Sequence, residues 1–343
     1  DASSMFNSLY INQLADLRGI NFSKTKNMNS MFAVAKTGGC VKKVNFDGFD
    51  TSNVEDMGSM FESFCIYDTI SSDAIAGVSN FNTSKVKNMS GMFNSANIKK
   101  LDLSSWDTKN VTNMSKMFDH ATSLAELNVN NFNTSKVTNM SQMFAYASNL
   151  PNLDVTSFDT SNVTDMFAMF AGTEKLSSLN LSHFNTSNVT NMSVMFYGDK
   201  SIVNLDLSSF NTSNVTDMSN MFCKMEKLQN LNLSSFNTAN VHGMTAMFKS
   251  AMTNPENSTL DLSTFNTSSL TNASEMFVDS KVKTIYASTN FDTTHIPNYD
   301  HLFYNNTNLV GGNGTVFSSS NPTDKTYARI DAPGTPGYFT QKP

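Results

Sequence analysis

Residues 205–222 read LDLSSFNTSNVTDMSNMF, and this stretch contains the pattern that predicts the fold. Leu205 and Leu207 alternate as the inward side of a short β-strand. The stripe of a short amphipathic helix follows at i, i+3, i+6 and i+7: Val215, Met218, Met221 and Phe222. Between them, Phe210 opens a run of Asn, Thr and Ser whose side chains can bond neighbouring backbone. The stretch therefore predicts one strand, one polar turn and one short helix.

This line is repeated along almost the whole chain of 343 residues. The Met that closes each copy stands at Met5, Met31, Met60, Met92, Met117, Met143, Met169, Met195, Met221, Met247 and Met276, with Leu302 in a degenerate twelfth copy. Seven of the eleven steps between these positions are 26 residues, five of them in a row from Met117 to Met247, and the longest step is 32. A fixed period in this range is typical of stacked-repeat solenoids.

We therefore predict a leucine-rich-repeat-like solenoid of about 12 stacked repeats of ~26 residues, each with one short parallel strand and one short helix. It spans residues 1–310, and a capping segment, 311–343, follows it. The opening DASSMF is the end of a repeat, which we interpret as a fragment cut from a longer protein.

The residue between the two strand leucines should face outward, and it alternates between acid and amide. The column is Asp102, Asn128, Asp154, Asn180, Asp206, Asn232 and Asp261. Neighbouring strands lie about 4.8 Å apart, so alternation doubles the distance between like charges. We interpret the column mainly as charge management, although the same groups could hydrogen-bond sugar hydroxyls.

Composition excludes several functional classes. The net charge of −6 argues against a nucleic-acid partner, since phosphate binding needs clustered cations. No apolar run in this sequence is long enough to span a membrane, and we do not expect any part of it to be a signal peptide. Three cysteines are too few for a disulfide scaffold, and a bridge between Cys40 and Cys65 is not expected. Sequons recur so often that packed turns could hardly carry the glycans, which favours a bacterial source.

Enzyme chemistry finds little support in the sequence. The five histidines do not share one repeat column, and no phosphate loop, zinc spacing or calcium loop is present. The Ser and Asp residues that could join a triad are explained by the repeat. We therefore expect a protein that is not an enzyme and needs no cofactor or metal.

The repeat line F-[ND]-T-S-x-V-T-[ND]-M-S-x-M-F, with L-x-x-L-[DN]-L-S before it, resembles the BspA-like leucine-rich-repeat surface proteins of lactobacilli, other Gram-positive bacteria and mycoplasmas. The ending KTYARIDAPGTPGYFT, residues 325–340, is similar to the closing segment of lactobacillal members. The resemblance implies a solenoid on the bacterial cell surface that adheres to host or extracellular-matrix components. It does not fix a ligand, which directs attention to residues that break the pattern.

Lysines break the pattern in the first part of the chain. The candidate glycan-binding residues are Lys42, Lys43, Lys85, Lys87, Lys99, Lys100, Lys109 and Lys136. Stacking would align several of them on the surface, either as a solvated face or as a docking strip for sulfated or carboxylated glycans. An insertion at 61–81 adds Tyr67 and Asp68, which could contact a sugar or belong to a tolerated loop.

The charge balance predicts pH dependence. Residues 1–117 hold 12 Lys/Arg against 11 Asp/Glu, a net +1, and residues 118–343 hold 11 against 18, a net −7. Near pH 4, ordinary side-chain pKa values give the chain a net charge of about +13 to +14. We therefore expect a monomeric adhesin domain that binds glycosaminoglycans, mucin or extracellular matrix better in acid. A passive spacer and a protein-receptor-binding solenoid are the alternatives.

Overall fold

The computed structural model describes residues 1–8, 15–16, 20–34, 44–65, 75–253, 258–320 and 325–342. The chain divides into two compact units, the first of residues 1–163 and 172–176, the second of residues 164–171 and 177–343. The predicted boundary at residue 310 stays a prediction.

Short parallel strands form four small sheets. In the first unit β1 (Ala15–Asp16), β2 (Val44–Asn45) and β3 (Ile75–Ala76) form one sheet, and β4 (Lys100–Asp102) pairs with β5 (Glu126–Asn128). In the second unit β6 (Asn204–Asp206) pairs with β7 (Asn230–Asn232), and β9 (Thr284–Ala287) lies between β8 (Thr259–Leu262) and β10 (Phe339–Gln341). Equivalent residues of consecutive repeats face each other, as the predicted parallel pairing requires.

The predicted core is confirmed. Val111, Met114, Met117 and Phe118 are all fully buried, and Trp106 occupies the aromatic corner position with 2% exposure. Rings of successive repeats stack face to face along each unit: Phe93 with Phe118 and Phe118 with Phe144 in the first, Phe196 with Phe222 and Phe222 with Phe248 in the second. Burial of these side chains is the main favourable term for the fold.

The predicted helix in each repeat is wrong for the part of the chain that the structure describes. Its only helical segments there are the 3-10 turns Val78–Asn80 and Lys325–Tyr327. The Met-Phe segment is instead a run of turns, which we call the turn wall. Alternate N–H groups of this wall donate to the next repeat: Lys116 N to Ser141 O (2.8 Å), Phe118 N to Met143 O (2.9 Å) and His120 N to Ala145 O (2.7 Å). The intervening Met117 N and Asp119 N close turns within the repeat.

The spacing between repeats explains the absence of helices. Strand pairing sets successive repeats about 4.8 Å apart, whereas an α-helix with its side chains is about 10 Å wide. Helices at that pitch would overlap, and backbone hydrogen bonds between consecutive repeats hold the wall opposite the strands at this same spacing, so that wall is also thin. The turn wall is thin enough for this spacing. Its Val, Met and Phe side chains face inward at nearly the intervals at which a helix would place them.

Left-handed backbone residues build the turn wall. They occur just before the Met and two residues after the Phe in most of the described repeats, as at Lys116 (φ 58°) and His120 (φ 54°) in one copy. The same two positions are glycine in some copies: Gly91, Gly172 and Gly198. Most copies nevertheless carry an L side chain, which costs roughly 1–2 kcal/mol in this conformation. Hydrogen bonds between repeats hold the wall against that cost.

Buried threonines link the repeats at the polar turn. Thr212 Oγ1 donates to Asn237 O (2.9 Å) and accepts from Asn237 N (2.8 Å) of the next repeat. In the first unit, Thr108 makes the same two bonds with Asn133, and both threonines are almost completely buried. One hydroxyl thus satisfies both backbone groups of a residue in the neighbouring repeat. We call this column the threonine ladder.

We predict that Thr212→Val lowers the free energy of unfolding by about 2–4 kcal/mol, because both backbone groups of Asn237 lose their partner while the volume is kept. Urea denaturation measures the change. Thr212→Ser keeps the hydroxyl and should cost less. Thr216→Val, at an exposed position of the same repeat, should cost little, and equal losses for Thr212→Val and Thr216→Val would contradict the ladder's role.

We predict that Lys116→Gly raises the free energy of unfolding by about 1 kcal/mol, because glycine adopts positive φ without steric cost. The exposed Lys116 side chain makes Lys116→Ala a matched control, since alanine removes the charge but keeps the Cβ atom. Thermal and urea unfolding of both variants check this. A Gly variant less stable than the Ala variant would show that the wall is not strained there.

Candidate functional site

The structure places the described candidate lysines in two separate regions. Lys85, Lys87, Lys109 and Lys136 lie on the polar turns of consecutive repeats, whereas Lys99 and Lys100 lie at the start of β4. The remaining candidates lie outside the described residues: Lys42, Lys43, Tyr67 and Asp68. The described candidate lysines therefore form two regions and not the single strip that stacking predicted.

Lys85 and Lys136 share one column and have neutral partners. Lys85 Nζ donates to Asn53 Oδ1 at 2.5 Å, and Lys136 Nζ donates to Asn110 Oδ1 at 2.8 Å. Asn110 in turn donates from Nδ2 to Ser84 O of the preceding repeat. Each ammonium group is thus positioned by an amide of its neighbouring repeat. No carboxylate in the described part of the chain balances either charge.

Lys87 is balanced by an acid in its own column, one repeat away. Glu55 accepts hydrogen bonds from Lys87 (2.7 Å) and lies 3.1 Å from Lys26 Nζ, so it is shared between two lysines. These partners, Lys87 first, lower the pKa of Glu55 to about 2. Lys109 similarly pairs with Asp107 at 2.7 Å, and this hydrogen bond lowers the pKa of Asp107.

At the strand region Lys100 pairs with Glu126 across β4 and β5 at 2.7 Å. The Glu126 hydrogen bond raises the pKa of Lys100. Lys99 is exposed, and its side chain forms no ion pair with any residue in the described ranges. Of the six comparable lysines, three therefore keep an unbalanced charge: Lys85, Lys99 and Lys136. The difference lies in their partners. The same column of the neighbouring repeat holds an amide beside Lys85 and Lys136 but an acid beside Lys87 and Lys100, a signal that the repeat spacing contains.

The alternating acid and amide column of the strands is solvent-facing, as predicted. Asp102 and Asp206 are exposed, and each accepts a backbone N–H through Oδ1 from the serine two residues further on, Ser104 and Ser208. These serines lower the pKa of both aspartates, and a smaller contribution comes from the amide of the next repeat. The alternation thus gives each carboxylate a hydrogen-bond donor instead of a second carboxylate.

Two shallow depressions follow these strands, and the sequence alone did not predict them. One, of ≈ 350 Å³ in the first unit, lies over β4 and β5 and is lined by Lys100, Asp102, Glu126, Asn128 and Asn152 among others. The other, also ≈ 350 Å³, lies over β6 and β7 in the second unit. We call the latter the amide groove. A further depression of ≈ 620 Å³ lies beside Phe291 and Lys325.

A buried acid and a histidine meet on the turn wall of the first unit. Asp119 is 5% exposed, and burial raises the pKa of its carboxyl group. His120 Nδ1 lies 2.7 Å from Asp119 Oδ1, and its ring packs 4.6 Å from the Tyr146 ring. Within the described ranges, no three acidic, histidine or cysteine side chains are grouped closely enough to hold a metal ion.

The cysteines differ from the expectation. Cys65 is disulfide-bonded, although a bridge between Cys40 and Cys65 was not expected. Cys40 lies outside the described residues. Cys223 is free and buried, and burial raises the pKa of its thiol to about 11. A neutral buried thiol is unreactive at ordinary pH. In the described part of the chain, no helix is both long and apolar enough to cross a membrane.

The polar turns predict a specific pH dependence of stability. Asp159 accepts from Ser161 N at 2.9 Å, and hydrogen bonds from Ser161 lower the pKa of its carboxyl group. A depressed folded-state pKa adds stability above the unfolded value, and this stability is lost as pH falls through the folded pKa. We therefore expect the thermal unfolding midpoint of Asp159→Asn to fall less than that of the wild type when the pH is lowered from neutral to below the ordinary pKa of aspartate.

Asn211→Asp is the reciprocal variant, because Asn211 holds the equivalent position and accepts from Ser213 N. It should add an acid-sensitive increment to stability at neutral pH. Thermal unfolding midpoints of both variants across this pH range test the two expectations. Parallel pH profiles for wild type and both variants would contradict the assignment.

A comparison with known families agrees with the repeated architecture. The family described as "Mycoplasma protein of unknown function, DUF285" matches in six overlapping segments: residues 1–71, 40–150, 63–179, 125–230, 172–288 and 200–316. No curated protein matches the chain. Together the six segments extend over residues 1–316, and each spans several copies of the repeat. The chain belongs to the DUF285 family.

Proposed function

We propose that this chain is the repeat domain of a bacterial cell-surface adhesin that binds anionic glycans, such as glycosaminoglycans and mucin, or extracellular matrix. The proposal includes a leucine-rich-repeat-like solenoid of the BspA-like type, which the sequence resemblance supports. The observation that carries it is the pair Lys85 and Lys136, whose ammonium groups occupy one column and have only amide partners.

Stacking sets the spacing of these charges. Lys85 and Lys136 are two repeats apart in one column, so the two positions lie about 10 Å from each other at the strand spacing. A polyanion that lies along the repeats can contact both without bending. The asparagines behind the two lysines reduce the side-chain freedom that binding would otherwise remove.

Acid should strengthen binding, but less than composition alone suggests. Protonation of carboxylates removes repulsion of a polyanion. Hydrogen bonds lower the pKa of several surface acids, however, including Asp107, Asp159 and Asp206. Glu55, with a pKa of about 2, remains ionised at pH 4 and keeps Lys26 and Lys87 paired. The acid-dependent gain therefore depends on the other carboxylates.

The test is equilibrium binding of the chain to heparin, chondroitin sulfate and mucin at pH 4 and pH 7 over a salt series. We expect tighter binding at pH 4, loss of affinity as salt screens the charges, and at least a tenfold loss in Lys85→Glu/Lys136→Glu. Lys227→Glu/Lys283→Glu is the control, because it introduces the same charge change at two exposed positions of the second unit.

Glu55→Gln should have the opposite effect to the lysine variants. It removes the carboxylate that Lys26 and Lys87 share, and glutamine keeps one acceptor oxygen in place of the two that these lysines contact. Binding to heparin at pH 7 should become several-fold tighter, because the net charge of residues 26, 55 and 87 together rises from +1 to +2. An unchanged affinity in Glu55→Gln would separate these lysines from the site.

The other outcomes identify the alternative functions. No binding to any polyanion at either pH would contradict the adhesin and favour a passive spacer. Binding that resists salt and survives Lys85→Glu/Lys136→Glu would favour a protein receptor that contacts another surface.

A further inference from the structure

We propose that the amide groove of the second unit is a binding site for a neutral oligosaccharide. It is distinct from the pair Lys85 and Lys136 of the first unit, which we call the lysine row, and the proposal does not depend on polyanion binding. The groove has two rows of polar side chains, from consecutive repeats, on the exposed face of β6, β7 and β8. The first row is Asn204, Asn230 and Thr259; the second is Asp206, Asn232 and Asp261.

Strand geometry fixes the dimensions of the groove. Side chains two residues apart on one strand face are about 7 Å from each other, and successive strands are about 4.8 Å apart. The register pairs Asn204 with Asn230 and Asp206 with Asn232, so the two rows run in parallel. A pyranose ring placed between the rows can direct hydroxyl groups from its two edges to both of them. The groove volume of ≈ 350 Å³ suits a short oligosaccharide.

The rows offer both donors and acceptors. Asn230 Nδ2 donates to Asn204 Oδ1 at 2.6 Å, which orients the two amides and leaves the Asn204 amide nitrogen as a donor. Gln229 and Thr259 also line the groove, and their side chains make no hydrogen bond within the described ranges. A sugar hydroxyl both donates and accepts, so it can satisfy this mixture where a purely anionic group cannot.

Charge selects a neutral ligand. Asp206 and Asp261 bring two carboxylates to the lining, and Lys342 balances only Asp261, at 2.6 Å. The second unit contains 9 Lys/Arg and 13 Asp/Glu, a net −4. An anionic glycan would be repelled here. Another copy of this protein is also a poor occupant, since a flat contact would bury amides and carboxylates without matched partners.

The equivalent depression of the first unit provides an internal control. Its first row is Lys100 and Glu126, which form an ion pair at 2.7 Å across the same two strand positions that Asn204 and Asn230 occupy. Ligand hydroxyls would have to compete with that pair. The structure therefore assigns the neutral ligand to the second unit.

The experiment is amide-resolved NMR of the full chain during titration with millimolar neutral tetrasaccharides. The probes are oligomers of glucose in α-1,4 and β-1,4 linkage, of mannose, of galactose and of N-acetylglucosamine. We expect at least one to shift the side-chain amide signals of Asn204, Gln229 and Asn230, with an affinity that changes less than twofold over a salt series.

Two variants of the groove test the assignment. Asn204→Ala/Asn230→Ala should weaken binding at least tenfold, and Thr259→Arg should do so by filling the groove without removing an amide. All three positions are exposed, so thermal unfolding should remain close to that of wild type. The matched control, Lys100→Ala/Glu126→Ala, should retain wild-type affinity.

Failure of every tetrasaccharide to shift these amides would overturn the proposal. So would binding that persists in both groove variants, or that is lost in the Lys100→Ala/Glu126→Ala control. Lys85→Glu/Lys136→Glu should leave neutral-sugar binding unchanged, so failure of the lysine row and failure of the groove are separate results.

Discussion

Hydrogen bonding between consecutive repeats at strand spacing is the constraint on which the rest of the structure depends. It operates in the strands, in the threonine ladder and in the turn wall, so every part of the repeat must be thin. The same constraint explains the left-handed residues of the turn wall. Alternate N–H groups can point to the next repeat only if the backbone departs from a helix, and the cost is offset by bonds such as Lys116 N to Ser141 O.

Repetition also determines how charge is distributed on the surface. A residue type that recurs in every repeat forms a column, and a column of like charges would be unfavourable at this spacing. The chain meets this problem by placing amides next to acids, as at Asp102 and Asn128, and next to lysines, as at Lys136 and Asn110. The two proposed sites use these arrangements in different ways. An amide behind a lysine leaves a positive charge unbalanced, whereas adjacent amides leave a neutral surface rich in hydrogen-bonding groups.

The candidate lysines differ from one another in the side chains with which they pair. Lys87 and Lys100 have acidic partners one repeat away, and Lys109 has one two residues before it. Lys85 and Lys136 have none among the residues described. Their columns were visible in the sequence, because stacking converts a fixed period into spatial alignment. Their electrostatic difference follows from the residue in the same column of the neighbouring repeat, which is Asn53 or Asn110 beside these two lysines and an acid beside Lys87 and Lys100. The structure showed that each ammonium group contacts that neighbour.

The sequence by itself determined the repeat length, the inward residues and the parallel pairing of consecutive copies. Leu205, Phe210 and Met221 are buried as their spacing predicts, because apolar periodicity reports which side of the chain faces the core. It did not determine the backbone of the Met-Phe segment, since inward residues at i, i+3, i+6 and i+7 fit both a helix and a run of turns. Only the tertiary structure decided between them. The N–H groups of that segment find their partners in the next repeat, and the width available between repeats is too small for a helix.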